Sequence, residues 1–482
     1  MNSMPIVSTQ NGQLQGERDG ALTVFRGIPY AAPPVDALRW RAPVPPSSWN
    51  GVRAATAFGP SCLQKSPRRT QADNPAEGTQ GEDCLTLNVW APANAGATEP
   101  LPVMVWLHGG SFRFGAGSLP VHDGGELAKR GAVIVTINYR LGLFGTFAHP
   151  ALREKGEPGG NYGLLDAIAA LRWVRDNIAA FGGDPRAVTL FGESAGGVSV
   201  GYLMASPLAQ GLFQRAIIQS GGLSLPEYAR AEAEAIALKT SDALGATTAE
   251  ALRALPAEAI RDAATDAADT MPFIDGAIVR EKGRAAFAAG RIQHVPLLVG
   301  YNDAEAGFFG PAYWQSLPRQ VGEDAWGALR HHCFGYGATS EDAAAEQVAS
   351  ELFAGVNTRA FARGASAAAP VYAYRFAWVP PEQRAAARGA IHTAEIPYVF
   401  GHVPRRPGAE DRSHALSSTL ADRWVAFART GVPTTNPVDW PRFEAGSRES
   451  LLLIGPDTEK VGPNPAAGLL DTLDGMQLPP RP

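Results

Sequence analysis

Residues 187–197 read AVTLFGESAGG, a short apolar run that ends in glycine, with Ser194 standing between Gly192 and Gly196. Val188, Thr189, Leu190 and Phe191 are β-branched or aromatic apart from the leucine, and the run has the length of a buried strand. Glycines two residues before and two after a serine suit a strand-to-helix turn so tight that side chains there would meet neighbouring chain. Beyond the serine, AGGVSVGYLMA at 195–205 can run as a closely packed helix whose positive end points back at Ser194. The stretch predicts a nucleophile elbow, and the rest of the chain is organised around it.

Upstream, Leu85, Leu87 and Val89 alternate within EDCLTLNVWAP (82–92), and buried strands are expected at 103–107 and 131–140. Within 162–181, Leu164, Ile168, Leu171, Val174 and Ile178 recur at helical spacing, and Gly182-Gly183-Asp184-Pro185 stops the helix. Downstream come strand candidates at 216–221, 294–302, 371–378 and 451–455, while 6–42 reads as hairpins and loops. Strands alternating with helices imply an α/β chain with a mostly parallel central sheet flanked by helices on both faces. Two alanine-rich helical stretches, 226–269 and 311–369, interrupt this rhythm as insertions. Ligands of open α/β sheets bind at the carboxyl ends of the strands, so such insertions would roof the site. Nothing demands a second domain, and 1–482 is read as one.

A net charge of −5 offers no basic field for nucleic acid, and the 36 arginines against 6 lysines carry no mechanistic weight. No apolar stretch is long enough to span a membrane and no signal peptide is visible, which gives the expectation of a soluble cytoplasmic protein, or a secreted one if an export sequence has been removed, with a monomer favoured over an oligomer. Cys62 and Cys84 can close a small loop worth about 3 kcal/mol if oxidised, although that compartment leaves them as thiols just as readily.

A serine hydroxyl needs a base within hydrogen-bond reach, and the base needs an orienting acid, in the chain order serine, acid, histidine. Five histidines follow a plausible acid: His331, His332, His392, His402 and His414. The first two fall in a helical insertion, and the HHC run at 331–333 has the wrong spacing for a metal. His392 lies in a loop after the 371–378 strand, where it can reach the elbow, with His402 as the alternative. Glu305 and Asp303 both lie just past the 294–302 strand, and the residues alone barely separate them. Donors for an oxyanion are available in His108-Gly109-Gly110-Ser111-Phe112 and at the N–H of Ala195.

FRGIPYAAPP (25–34), EDCLTLNVW (82–90), HGGSF (108–112), INYRLG (137–142), AFGGDP (180–185), GESAGG (192–197), GYNDAEAG (300–307) and HTAEIPYVFG (392–401) occur in that order. A chain carrying them resembles the type-B carboxylesterases, the group of bacterial para-nitrobenzyl esterases, liver carboxylesterases and acetylcholinesterase. The resemblance covers nearly the whole chain and implies an α/β-hydrolase fold. It also implies Ser194 as nucleophile, His392 as base, Glu305 as acid, an oxyanion hole at Gly110, Ser111 and Ala195, and a disulfide between Cys62 and Cys84. Three positions depart from the family pattern: Ser111, Ala167 and Ala306.

The expected function is hydrolysis of small neutral or aromatic carboxylic esters through an acyl-enzyme, with no cofactor and no metal. A neuroligin-like binding module is the contrasting reading, disfavoured because the three catalytic residue types are present, and a serine peptidase or amidase is the third. The segment between the two cysteines, 63–83, contains no Trp, Tyr or Phe but does contain Lys65, Arg68 and Arg69, which argues against a choline ester as substrate.

Overall fold

The computed structural model describes residues 4–65, 79–154, 156–222, 225–266, 268–403, 412–435, 438–446 and 449–476. Eleven strands build one sheet: β1 (Glu17–Asp19), β2 (Leu22–Pro29), β3 (Thr86–Pro92), β4 (Leu101–Leu107), β5 (Val133–Ile137), β6 (Gly183–Glu193), β7 (Arg215–Gln219), β8 (Leu297–Asn302), β9 (Val371–Phe376), β10 (Ser450–Ile454) and β11 (Glu459–Pro463). Their spatial order is β11-β10-β9-β8-β7-β6-β4-β5-β3-β2-β1. From β5 across to β10 the pairing is parallel. Antiparallel strands close the two edges.

Successive residues of a strand face opposite sides, and here both sides are apolar. Val103, Val105 and Leu107 join one core with Leu190 and Ile218, whereas Met104 and Trp106 join the other with Phe191 and Ile217. Helix α1 (Tyr162–Asn177) covers the first face through Leu164, Ile168, Leu171 and Val174. Helix α2 (Ala195–Ala205) is buried all round, as a helix rising through the middle of a molecule must be.

The strands deviate from the sequence expectation where side chains intervene. β6 starts at Gly183, with a register shift against β4 between Gly183 and Val188, because Pro185 cannot donate to a ladder and is accommodated in an irregularity. β5 ends at Ile137, short of 140, and Arg140 turns to pair with buried Asp166 at 2.8 and 2.7 Å.

Within 226–269 lie helices Arg230–Leu244, Ala249–Arg253 and Ala257–Ala263, whose Ala237, Leu252 and Ile260 join the core on the α1 side. Within 311–369 lie Leu317–Val321, Glu323–Gly335, α3 (Glu341–Ser350) and α4 (Val356–Ser366). Trp314, Leu317, Trp326, Leu329 and Val348 pack with Leu469 and Leu470 into a core of their own. Among the described residues, no helix is long and apolar enough to cross a membrane.

The expected disulfide is corrected by the structure: Cys62 and Cys84 are buried free thiols. Cys62 Sγ accepts the Leu141 N–H at 3.2 Å. A hydrogen bond with Cys62, and then burial, push the Cys84 thiol well above its ordinary range, which suppresses the thiolate that disulfide exchange requires. Lys65 donates to the Asp262 carbonyl at 3.0 Å, while Arg68 and Arg69 lie outside the described residues.

Candidate active site

Parallel pairing sets Gly192 against Leu107, Glu193 against Gln219, Gln219 against Gly300 and Asn302 against Phe376, so the carboxyl ends of β4, β6, β7, β8 and β9 meet at one edge. Ser194 follows β6 there with φ 53° and ψ −125°. A non-glycine residue held at such angles costs on the order of 1–3 kcal/mol and needs its surroundings to enforce them. The enforcement is visible: the Ser194 N–H donates to Gln219 O at 3.0 Å, and a Cβ on Gly196 would stand 2.0 Å from Leu107 O. Gly197 and Gly221 touch in the same way, a Cβ on Gly221 falling 2.4 Å from the Gly197 carbonyl carbon. The glycines of the elbow therefore let strand β4, helix α2 and the turn after β7 approach closely.

His392 reaches this point from the loop between β9 and the short helix Ile396–Phe400. Its Nε2 lies 2.8 Å from Ser194 Oγ, and its Nδ1 lies 2.6 Å from Glu305 Oε2. All three side chains are buried, Glu305 completely. Asp303 is placed differently: its Oδ1 accepts the Ala390 N–H at 2.8 Å, away from the imidazole. His402 Nε2 donates to Asp123 O at 2.8 Å, His332 pairs with Thr472 Oγ1 at 3.0 Å, and His414 lies in the helix Arg412–Thr430. Among the described residues, no group of three or more His, Cys, Asp or Glu side chains could hold a metal.

The 108–112 segment follows β4 beside the serine. A Cβ on Gly109 would lie 3.0 Å from Ser194 Cβ, and Gly110, Ser111 and Phe112 all have positive φ, at 113°, 55° and 59°. The N–H groups of Gly110 and Ser111 donate to no backbone acceptor among the described residues, and Ala195 N–H is an open donor of the first turn of α2. His108 supports this segment from behind, stacked on Tyr139 at 4.4 Å with its Nδ1 2.7 Å from Gly109 O. Burial pushes its pKa down to about 4, so it is neutral in the working range.

The sequence reading missed five polar residues. Ser220 Oγ donates to Glu305 Oε1 at 2.6 Å, and the Asn302 N–H donates to the same oxygen at 2.8 Å. Glu395 accepts from Gln219 Nε2 at 3.1 Å and from Asn302 Nδ2 at 2.7 Å. Glu193 is 1% exposed, with Oε1 3.3 Å from His392 Nε2. A carboxylate directly before Ser194, at the end of an apolar strand, was the one signal in the sequence that could have flagged this cluster. Burial alone pushes His392 down, but Glu193, Glu305 and Glu395 together outweigh it and hold the imidazole at about 9.

An aromatic wall borders the histidine. The rings of Phe353, Phe308 and Phe309 lie 5.4, 5.6 and 6.1 Å from the His392 ring, and Tyr313 stacks on Phe309 at 4.9 Å. Phe353 is carried by a π-helical turn, Glu351–Gly355, between α3 and α4, while Phe308, Phe309 and Tyr313 are half-buried.

Fold and site together define an α/β-hydrolase with a buried serine, histidine and carboxylate in hydrogen-bonded series. The family model described as the carboxylesterase family matches residues 3–334 and 335–469, and the chain belongs to that type-B carboxylesterase family. It is 39% identical to fumonisin B1 esterase of Sphingopyxis macrogoltabida over 93% of this chain and 86% of that protein. It is 38% identical to para-nitrobenzyl esterase of Bacillus subtilis (strain 168) over 93% and 94%. A solved para-nitrobenzyl esterase structure superposes with a TM-score of 0.84 at 34% identity, covering 98% of this chain and 99% of that one. The protein is a carboxylic ester hydrolase.

Proposed function

We propose that Ser194 is the nucleophile, His392 its general base and Glu305 the acid that orients the base, with the N–H groups of Gly110, Ser111 and Ala195 receiving the oxyanion. The observation that carries this reading is the series Ser194 Oγ, His392 Nε2, His392 Nδ1, Glu305 Oε2, linked at 2.8 and 2.6 Å. Oγ forms a bond to the ester carbon as its proton passes to Nε2, and the carbonyl π pair moves onto the oxygen held by the three N–H donors. Collapse returns that pair, breaks the bond to the alcohol, and the imidazolium protonates the departing alkoxide. Water, deprotonated by the same imidazole, then releases the acid from Ser194. Each oxyanion donor is worth about 3 kcal/mol of barrier.

The substrates of this reading are small neutral or aromatic esters. Phe308, Phe309, Tyr313 and Phe353 give an apolar ring of the substrate a place to stack beside His392. The chain is treated as one domain in which 226–269 and 311–369 wall the site. Labelling with a fluorophosphonate, followed by peptide mass mapping, tests the assignment: the adduct is expected on Ser194, and an adduct elsewhere refutes it. Nitrophenyl esters assayed beside a peptide panel separate an esterase from a peptidase.

A further inference from the structure

We propose that Asp303, which is not the acid of the series, is a positioning residue for ester hydrolysis: its carboxylate clamps the loop carrying His392 against the loop carrying Glu305. The inference rests on the assignment of Ser194, Glu305 and His392 given above.

Between the one-turn helix Pro381–Gln383 and the helix Ile396–Phe400 the chain has no regular structure, and His392 lies within that span. Its position has to come from contacts made by the loop. Ala390, two residues before His392, is held at both backbone groups: its N–H donates to Asp303 Oδ1 at 2.8 Å and its carbonyl accepts the Ala304 N–H at 3.0 Å. Asp303 is itself fixed, since its N–H donates to Phe376 O at 2.9 Å at the end of β9. Two residues further along the same strand exit comes Glu305. One carboxylate therefore ties together the two segments whose side chains must meet at 2.6 Å.

The neighbours of this contact show that it is built in. A Cβ on Gly389 would lie 2.5 Å from Asp303 Oδ1, so the approach of the carboxylate requires glycine there. On the outer side, Arg388 Nη1 bonds Asp342 Oδ2 at 2.8 Å and Glu346 Oε2 at 2.7 Å on α3. Asn302 Nδ2 then takes the Ile391 carbonyl at 2.8 Å. Of these contacts the Asp303 bond is the one side-chain bond to the backbone N–H of Ala390, and Ala390 is buried, so water cannot replace it without cost. A shift of about 1 Å at His392 would break its bond to Ser194 Oγ, and misplacement of that size costs on the order of 100-fold in rate.

The test compares Asp303→Ala, Asp303→Asn and Gly389→Ala in the full chain, by steady-state hydrolysis of a neutral nitrophenyl ester and by the rate of fluorophosphonate labelling. Asp303→Ala is expected to lower kcat and the labelling rate by about 30- to 100-fold with KM little changed. Asp303→Asn keeps an oxygen acceptor and is expected within about fivefold of the parent. Gly389→Ala is expected to reproduce the kcat loss, and combining it with Asp303→Ala to add little, because both break one contact. A parental kcat in Asp303→Ala overturns the proposal, as does a loss confined to KM, or an Asp303→Asn enzyme as damaged as the alanine variant. If Asp303→Ala does not fold, Asp303→Asn and Gly389→Ala still decide. Ser194→Ala and His392→Ala, run alongside, separate the two levels: activity surviving in them refutes the site assignment, whereas their inactivity beside a fully active Asp303→Ala refutes the clamp alone.

Discussion

Replacing Glu193 by Gln should move the pH profile of the enzyme without changing its rate in acid. Glu193 Oε1 lies 3.3 Å from His392 Nε2, and the imidazole is held at about 9 against an ordinary 6.5. That difference, 9 minus 6.5, corresponds to about 3 kcal/mol. Burial acts in the opposite direction, so Glu193, Glu305 and Glu395 together supply more than this; the charge of Glu193 is the largest single raising cause, while Glu305 acts both by its charge and by its hydrogen bond. Removing the Glu193 charge is therefore expected to take away on the order of 1 kcal/mol and to lower the His392 midpoint by nearly one pH unit. Below both midpoints, resting enzyme and transition state each contain the imidazolium and lose the same interaction, so kcat/KM is expected to be equal in the two enzymes. Above pH 9 only the transition state contains it, and the variant is expected to be about five- to tenfold slower. The assay is kcat/KM for a neutral thioester between pH 5 and about pH 10.5, where the parent should still be rising through about 9. A parental midpoint near 6.5, or profiles that superimpose at every pH, would refute the electrostatic reasoning.

The same folded-state value, raised above the unfolded one, gives stabilisation that is complete below pH 6.5 and lost as the pH climbs through about 9, so Tm should fall over that interval, and less in His392→Asn. Ser194→Ala or His392→Ala is expected to lower kcat by about a millionfold and Glu305→Gln by less, since serine and histidine act as one unit; a larger loss in Asp303→Asn than in Glu305→Gln would contradict the acid assignment. Titration of the denatured, unreduced chain should count three thiols, and a count of one would mean that Cys62 and Cys84 had been joined. A neutral butyryl thioester is expected to exceed butyrylthiocholine by roughly tenfold in kcat/KM; equal turnover would show that the rings of Phe308, Phe309 and Phe353 accept the cation instead.

The sheet was legible because both faces of its central strands are covered, which writes nearly continuous apolar runs such as 188–191 and 297–301 into the sequence. Ser194 was legible for a related reason, since the tight approach around it admits only glycine at 192 and 196. The choice between Asp303 and Glu305 was not legible from the residues alone. Both leave β8 within three residues, and only the 3₁₀ turn at Glu305–Phe308 decides which carboxylate faces the imidazole. Ser220, Gln219 and Glu395 were hidden for the opposite reason: each is buried through long-range partners, and no local spacing connects 219 to 395 or 220 to 305. The thiols of Cys62 and Cys84 went against the family resemblance because a disulfide is a matter of what each sulfur bonds, which spacing does not specify.

The crowding of Gly192, Gly196, Gly197 and Gly221 under Ser194 also has an evolutionary reading. Any side chain at these positions meets backbone atoms, between 2.0 and 2.8 Å away, and backbone cannot step aside as a flexible side chain can. Mutational drift, or a laboratory library, is therefore closed beneath the serine and open above it. Phe308, Phe309 and Tyr313 are half-exposed and sit on short turns, and they can change size without touching the elbow. New substrate ranges should accumulate as substitutions at 308, 309, 313 and 353, with the floor of the site inherited unaltered. Lineages of this chain selected on different esters would then diverge in their aromatic wall while remaining identical across 192–197.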